Sequence, residues 1–372
     1  MNLSLHTLPH TSDGAAYELT SLHFGPADTG RKVYIQGGLH ADETPGILVA
    51  VTLRQQLREL EAAGKLRGEV VLVSAANPVG LSQWVMGTPI GRFELSSGRN
   101  FNREFPMLAG EIAAAVEGML TQDSAVNLAL IRSAWHAALL RREPSNAFDA
   151  LQRNLLLLSH DADVVLDLHC SREAAMHVYT GEAIWPQVEP LARYLGALAS
   201  LLALDSGGRS FDEAHSFTWW QLRERFGHDF PIPDGSIAVT IEHRGQRDVS
   251  YELAQHDADA IIAYLTHQRI VDAPVTPLPE LLAPATPLAG SEQFRAPTSG
   301  ILIHRVEVGE AVTIGQPVFD ILDTASGERT TLHSHTQGVL YMRRDVRYVR
   351  AGDPLGRVTG AVAQRDGMLL SA

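Results

Sequence analysis

Through roughly the first 270 residues, short β-branched apolar runs alternate with stretches of helical period. That alternation admits little other than a layered α/β domain. Residues 33–36 and 70–74 read as strands, and residues 45–62 between them as a helix. Thr44 can cap this helix, Pro45 suits its first position, and Gly64 follows its end. The runs 164–168 and 237–241 are apolar throughout except for Asp167 and Thr240, as expected of strands buried on both faces. The Ala- and Leu-rich chain from Glu111 to Leu158 reads as helical, interrupted near Pro144.

A chain of 372 residues exceeds one ordinary core, so a second domain is expected. Pro274, Pro277, Pro279, Pro284 and Pro287 crowd a segment without period. We therefore expect a first domain at 1–271, a linker at 272–290 and a β-rich C-terminal domain at 291–372. The last domain is internally repeated: Gly300-Ile301-Leu302 returns as Gly338-Val339-Leu340, and Gly315-Gln316-Pro317-Val318 as Gly352-Asp353-Pro354-Leu355. These half-repeats are similar to those of biotinyl and lipoyl carriers. The only lysines in the chain are Lys32 and Lys65, so no lysine is available there to carry such a group.

With 30 basic and 43 acidic residues the net charge is −13, which argues against nucleic acid or an anionic membrane as partner. An anionic small molecule would need local arginines. Cys170 is the only cysteine, so no internal disulfide can form. The amino terminus does not read as a signal peptide, and no apolar run is long enough to span a membrane. A cytoplasmic enzyme is the expectation.

Chemistry concentrates at Gly37-Gly38-Leu39-His40-Ala41-Asp42-Glu43, between the first strand and the helix. Two glycines permit a sharp turn, and His40 and Glu43 can reach one metal ion from it. A catalytic zinc takes three protein ligands and leaves a position open. His169, at the carboxyl end of the strand at 164–168, is the best third ligand, with Asp167 able to orient it or a nearby loop. Read alone, Glu242 can equally pair with His243 or Arg244. Phe217, Trp219 and Trp220 read as core aromatics or as pocket lining. No role is assigned to His23, His160, His177, His228 or His256.

In combination these residues resemble the succinylglutamate desuccinylase and aspartoacylase family, related to the zinc carboxypeptidases. The resemblance rests on the Gly38–Glu43 motif, Asn77-Pro78, the run Asn100-Phe101-Asn102-Arg103-Glu104-Phe105-Pro106, Asp167-Leu168-His169, and Glu242 after a strand. It implies a zinc-carboxypeptidase-like mixed sheet flanked by helices, followed by the small all-β domain. It implies one zinc per chain on His40, Glu43 and His169, and Glu242 as general base toward a water. Arg92 would serve the reacting carbonyl, while Asn102 and Arg103 would grip a substrate carboxylate. The Tyr341-Met342-Arg343-Arg344 run would overhang the site.

Two departures from the family pattern stand out. The long spacing between Asn77 and Asn102 lets Arg99 compete with Arg92, and the helical insertion at about 107–158 can reshape the pocket. The resulting expectation is a deacylase cleaving the amide of a small carboxylate-bearing substrate such as an N-acyl amino acid. The alternatives are a zinc carboxypeptidase and a metal-binding protein without turnover.

Overall fold

The computed structural model describes residues 1–12, 15–27 and 29–370. A nine-stranded mixed sheet organises the first domain. In spatial order its strands are Asn2–Ser12, Ala15–Phe24, Glu69–Val73, Lys32–Gly37, Val164–Ser171, Ile237–Gly245, His177–Thr180, Ala199–Leu202 and Thr286–Pro287. The four strands from Glu69–Val73 to Ile237–Gly245 run parallel. Successive residues of these strands enter two separate cores. Val33, Ile35, Val164, Leu166, Val239 and Ile241 face one, and Tyr34, Val71, Val165 and Ala238 face the other. Both faces are dry, which is why the runs are nearly continuously apolar rather than alternating.

Helices Thr44–Ala62, Trp185–Leu195 and Tyr251–His267 cover the first face through Val49, Leu53, Val188, Leu191, Ala258 and Ile261. The expected insertion forms much of the layer on the other face. Its helices Ala109–Val116, Ser124–Arg141 and Ala147–Ser159 bury Ile112, Ile131, Trp135 and Leu155 together with helix Phe211–Phe226.

Three features differ from the sequence expectation. The amino-terminal hairpin Asn2–Ser12 and Ala15–Phe24 is an added pair of strands. Its alternation is masked because Leu3 and Leu5 point outward, 55% and 56% exposed, while Ser21 is buried. Thr44 is the first helical residue rather than the cap. Glu43 occupies the cap position without a side-chain cap bond, its carboxylate drawn elsewhere. Within the proline-rich segment, Thr286–Pro287 adds the ninth strand beside Ala199–Leu202.

The C-terminal strands form two antiparallel sheets around Phe294, Leu302, Val318, Phe319, Leu340 and Leu355. The repeated motifs start equivalent strands, Gly300–His304 with Gly338–Arg343 and Pro317–Leu322 with Pro354–Val358. Glu173–Ala174 of the first domain pairs with Gly338–Arg343, which fixes one domain against the other.

Candidate functional site

The turn after Lys32–Gly37 is shaped by close backbone approach as much as by conformational freedom. Gly38 takes a left-handed φ of 74°. Gly37 does not; a Cβ there would lie 2.6 Å from the Gly46 carbonyl oxygen, and one on Gly46 would lie 2.5 Å from that of Leu168. Strand end, helix start and neighbouring strand are therefore in backbone contact. That contact brings Glu43 beside His169. Asn77 secures the turn from the side, its Nδ2 donating to the Leu39 carbonyl at 2.9 Å while its Oδ1 accepts from Gly80 N.

His40, Glu43 and His169 converge, all buried, with their candidate ligand atoms within 4.8 Å of one another. His40 Nδ1 lies 3.0 Å from Glu43 Oε1, and His169 Nδ1 lies 2.8 Å from Oε2. The far ring nitrogens show which way the protons point. His40 Nε2 is 2.8 Å from Asn100 Oδ1, an oxygen that also accepts from the Asn102 backbone N–H at 2.9 Å. That amide can only donate, so Asn100 Oδ1 is the acceptor for His40 Nε2–H and Nδ1 keeps a lone pair. His169 Nε2 is likewise 2.8 Å from Asp167 Oδ2, while Asp167 Oδ1 accepts from Gln36 and Tyr34 donates to Gln36 in turn.

In its neutral form each imidazole thus turns an Nδ1 lone pair onto the carboxylate, an arrangement that calls for a cation or, on His169, a proton between acceptors. Burial, then the Arg92 charge, pushes His40 down to about 4, so it is a neutral donor. Burial alone would raise the Glu43 carboxyl, but His40 and His169 hold it well below the usual range. Burial opposes charge on His169 too, yet Asp167 and Glu43 hold its pKa well above normal. The donor set, its burial and the outer partners Asn100 and Asp167 fit a metal ion.

A cavity of about 420 Å³ opens over this cluster. Arg92 enters it from a loop whose Gly91 carbonyl accepts from Ala41 N, and its Nη1 lies 3.1 Å from Glu43 Oε1 and 3.2 Å from His40 Nδ1. Glu242, register partner of His169, also lines it. Burial and then the Glu43 charge raise Glu242 to about 7, and Ser171 Oγ donates to it at 3.3 Å. His243 and Arg244 both pair with Asp257 instead, which leaves Glu242 to the cavity.

Arg103 and Asn102 reach the same space. Asn102 Oδ1 accepts from Phe211 N at 2.8 Å, turning its Nδ2 toward His169. Arg99 is not brought in: it pairs with Asp149 and Glu104 and lies over the Phe148 ring. No residue of the insertion lines the cavity, although Gln152 Nε2 holds the Arg103 carbonyl at 2.8 Å. Trp219 packs in the core, and Phe217 stacks on Trp220 away from the site.

The C-terminal domain contributes Met342, Arg343, Arg344 and Arg357 to the lining. Sequence reasoning missed Arg357, Asp212 and the orienting role of Asn100. Asp212, raised to about 7 by burial and by Glu213, sits in a capping box that carries no obvious chemical signature. Asn100 opens the Asn100–Pro106 run, but only tertiary contact reveals the acceptor role of its side chain.

A buried His–Glu–His cluster that could hold a metal ion thus lies at the carboxyl ends of parallel strands in an α/β domain, under an arginine-rich cavity. Residues 29–126 match the family model described as "Succinylglutamate desuccinylase/Aspartoacylase catalytic domain". Among solved structures, the chain is similar to a succinylglutamate desuccinylase/aspartoacylase family protein from Shewanella amazonensis SB2B, with 26% identity and a TM-score of 0.86 over 96% of this chain and 98% of that one. A counterpart from Shewanella frigidimarina NCIMB 400 gives 25% identity and a TM-score of 0.83 over 96% and 97%. The succinylglutamate desuccinylase/aspartoacylase from Rhodobacter sphaeroides, at 16% identity and a TM-score of 0.65 over 97% and 96%, shares the fold. No curated protein matches the chain. The matched segment and the solved structures thus point to the same family that the motifs resemble. No helix among the described residues is long and apolar enough to cross a membrane.

Proposed function

We propose that this protein is a zinc-dependent hydrolase that cleaves the amide bond of a small carboxylate-bearing substrate such as an N-acyl amino acid. The observation that carries this reading is the convergence of the His40 and His169 Nδ1 atoms on Glu43 beside a partly buried Glu242. Zinc suits two nitrogens and one carboxylate, and His40, Glu43 and His169 would hold it. When bound, it would supply Lewis acidity for the carbonyl and an acidified water.

Glu242 is the general base in this reading. Its raised pKa fits a group that takes a proton from water near neutral pH and returns it to the leaving nitrogen. Arg92 would steady the oxygen of the reacting carbonyl as charge develops there, a role supported by its lining the cavity beside Glu43. Arg103, with Asn102 beside it, takes a substrate carboxylate through a planar fork. The lining of the cavity by Met342, Arg343, Arg344 and Arg357 of the second domain supports a small substrate over a peptide chain.

The test is hydrolysis of a panel of N-acyl amino acids by the zinc-loaded protein, with short peptides alongside. Release of free amino acid from the former and not the latter is expected. Turnover of the peptides alone would make the enzyme a carboxypeptidase, and no turnover of either would leave a metal-binding protein.

A further inference from the structure

The strand that carries Glu242 breaks its alternation just beyond that residue. Along Ile237–Gly245, Val239 and Ile241 enter the core shared with helix Tyr251–His267, while Thr240 and Glu242 face the cavity. A period of two would keep His243 on the core side and turn Arg244 into the cavity beside Glu242. A guanidinium there would pair with the carboxylate. The chain avoids this. Glu242 pairs in register with His169 and Gly245 with Ser171, so His243 and Arg244 together stand opposite Cys170 alone. In this two-against-one bulge Arg244 takes a left-handed φ of 62°. Of the five non-glycine residues with positive φ among the described ones, it alone lies in a strand.

Such a backbone is strained for any residue with a Cβ and persists only when its surroundings hold it. Asp257, 1% exposed on helix Tyr251–His267, supplies the hold. Its Oδ2 accepts from His243 Nδ1 at 2.7 Å and from Arg244 Nη1 at 2.8 Å, and its Oδ1 accepts from Arg244 Nη2 at 2.6 Å. Burial opposes the charge of Asp257, yet His243 and then Arg244 hold its carboxyl well below the usual range. Both bulge side chains are thereby drawn to the helix side of the sheet.

Beyond the bulge the chain returns to the site. Gln246 N donates to the Ser171 carbonyl at 2.9 Å, and Ser171 Oγ donates to Glu242. Gln246 Nε2 donates to Asp42 Oδ2 at 2.9 Å, next in sequence to Glu43.

We propose that Asp257, which lines no part of the cavity, is a positioning residue for Glu242. By clamping His243 and Arg244 in the bulge, it keeps a guanidinium away from the Glu242 carboxylate and fixes how that carboxylate faces the cavity. This role rests on the hydrolase reading above; the clamp on the strand does not.

The experiment measures kcat, KM and zinc content of the zinc-loaded full chain on the panel of N-acyl amino acids, with amide hydrogen exchange of residues 243–246 beside it. Wild type, D257N, R244A and R244G are compared. D257N should lower kcat at least about tenfold, as a small misplacement of a reacting group warrants, with KM and zinc content changed less than about twofold. Its Gly245 and Gln246 amides should exchange at least about tenfold faster. R244A loses the clamp and keeps the strained φ, whereas R244G loses the same clamp but adopts that φ freely. R244G should therefore retain at least about fivefold more kcat than R244A, and this comparison decides if D257N does not fold.

An unchanged kcat in D257N overturns the proposal whatever the exchange shows, as do R244A and R244G proteins of equal kcat. A rise in KM or a loss of zinc in place of the fall in kcat overturns it too, since Asp257 would then hold the pocket or the metal turn rather than the base. A wild type that hydrolyses none of the panel sinks the hydrolase reading and the role toward Glu242 with it, while faster exchange in D257N would leave the clamp standing. Hydrolysis by the wild type with an equally active D257N sinks the positioning role alone.

Discussion

At the scale of single residues, the site is a set of fixed protonation states. Asn100 and Asp167 each accept a hydrogen bond from a far imidazole nitrogen and so aim the near one at Glu43. Asp167→Asn removes the acceptor that fixes His169, and zinc affinity should fall about ten- to a hundredfold, the usual cost of losing such an outer partner. Titration against a competing chelator reads this directly; unchanged affinity would show that Asp167 does not orient the ligand. Glu242 is separable from the metal. Glu242→Gln should retain zinc while turnover of N-acyl amino acids drops at least about a hundredfold, and near-normal turnover would transfer the role of base to another group. Much of this was legible in the sequence. His40, Glu43, His169, Arg92 and Arg103 all come together around one cavity. The choice between Arg92 and Arg99 was not legible, because it depends on Asp149 and Phe148 of a distant helix capturing Arg99.

At the scale of elements, the buried parallel strands could be read because their apolar runs record two dry faces. The added hairpin could not, since outward leucines and an inward serine erase its alternation. Glycines carried a signal that turn chemistry only half explains. Gly38 needs its φ, but Gly37 and Gly46 are required by backbone contact between helix and sheet. Gly46→Ala places a methyl against the Leu168 carbonyl, and the helix bearing Glu43 must shift away from His169. A destabilisation of about 1–3 kcal/mol is expected, typical of overpacking, with weaker zinc binding alongside. Denaturant unfolding and metal titration check it together. A stable variant with unaltered zinc affinity would mean that the contact does not set the ligand geometry.

At the scale of the whole molecule, buried histidines that do not line the cavity link stability to pH. Burial depresses His177 to about 4 and His215 to about 3. Unfolding frees each to take a proton near the ordinary imidazole value of about 6.5. Their contribution is therefore fully present above that pH and declines as pH falls toward their folded values, by up to about 1.4 kcal/mol per pH unit for each group. Urea unfolding between pH 7 and 5 should show falling stability, and His215→Gln should flatten the slope; a slope unchanged by that substitution would contradict the assignment. The two domains act as one body in this account, since Glu173 joins the C-terminal sheet and binds Arg343 and Arg347 while both domains line the cavity. The claim on which everything else depends is the metal centre. Elemental analysis of the purified zinc-loaded protein beside His40→Ala and His169→Ala tests it most directly. The account predicts one zinc per folded wild-type chain and little or none in either folded variant, whereas undiminished zinc in both variants would contradict it.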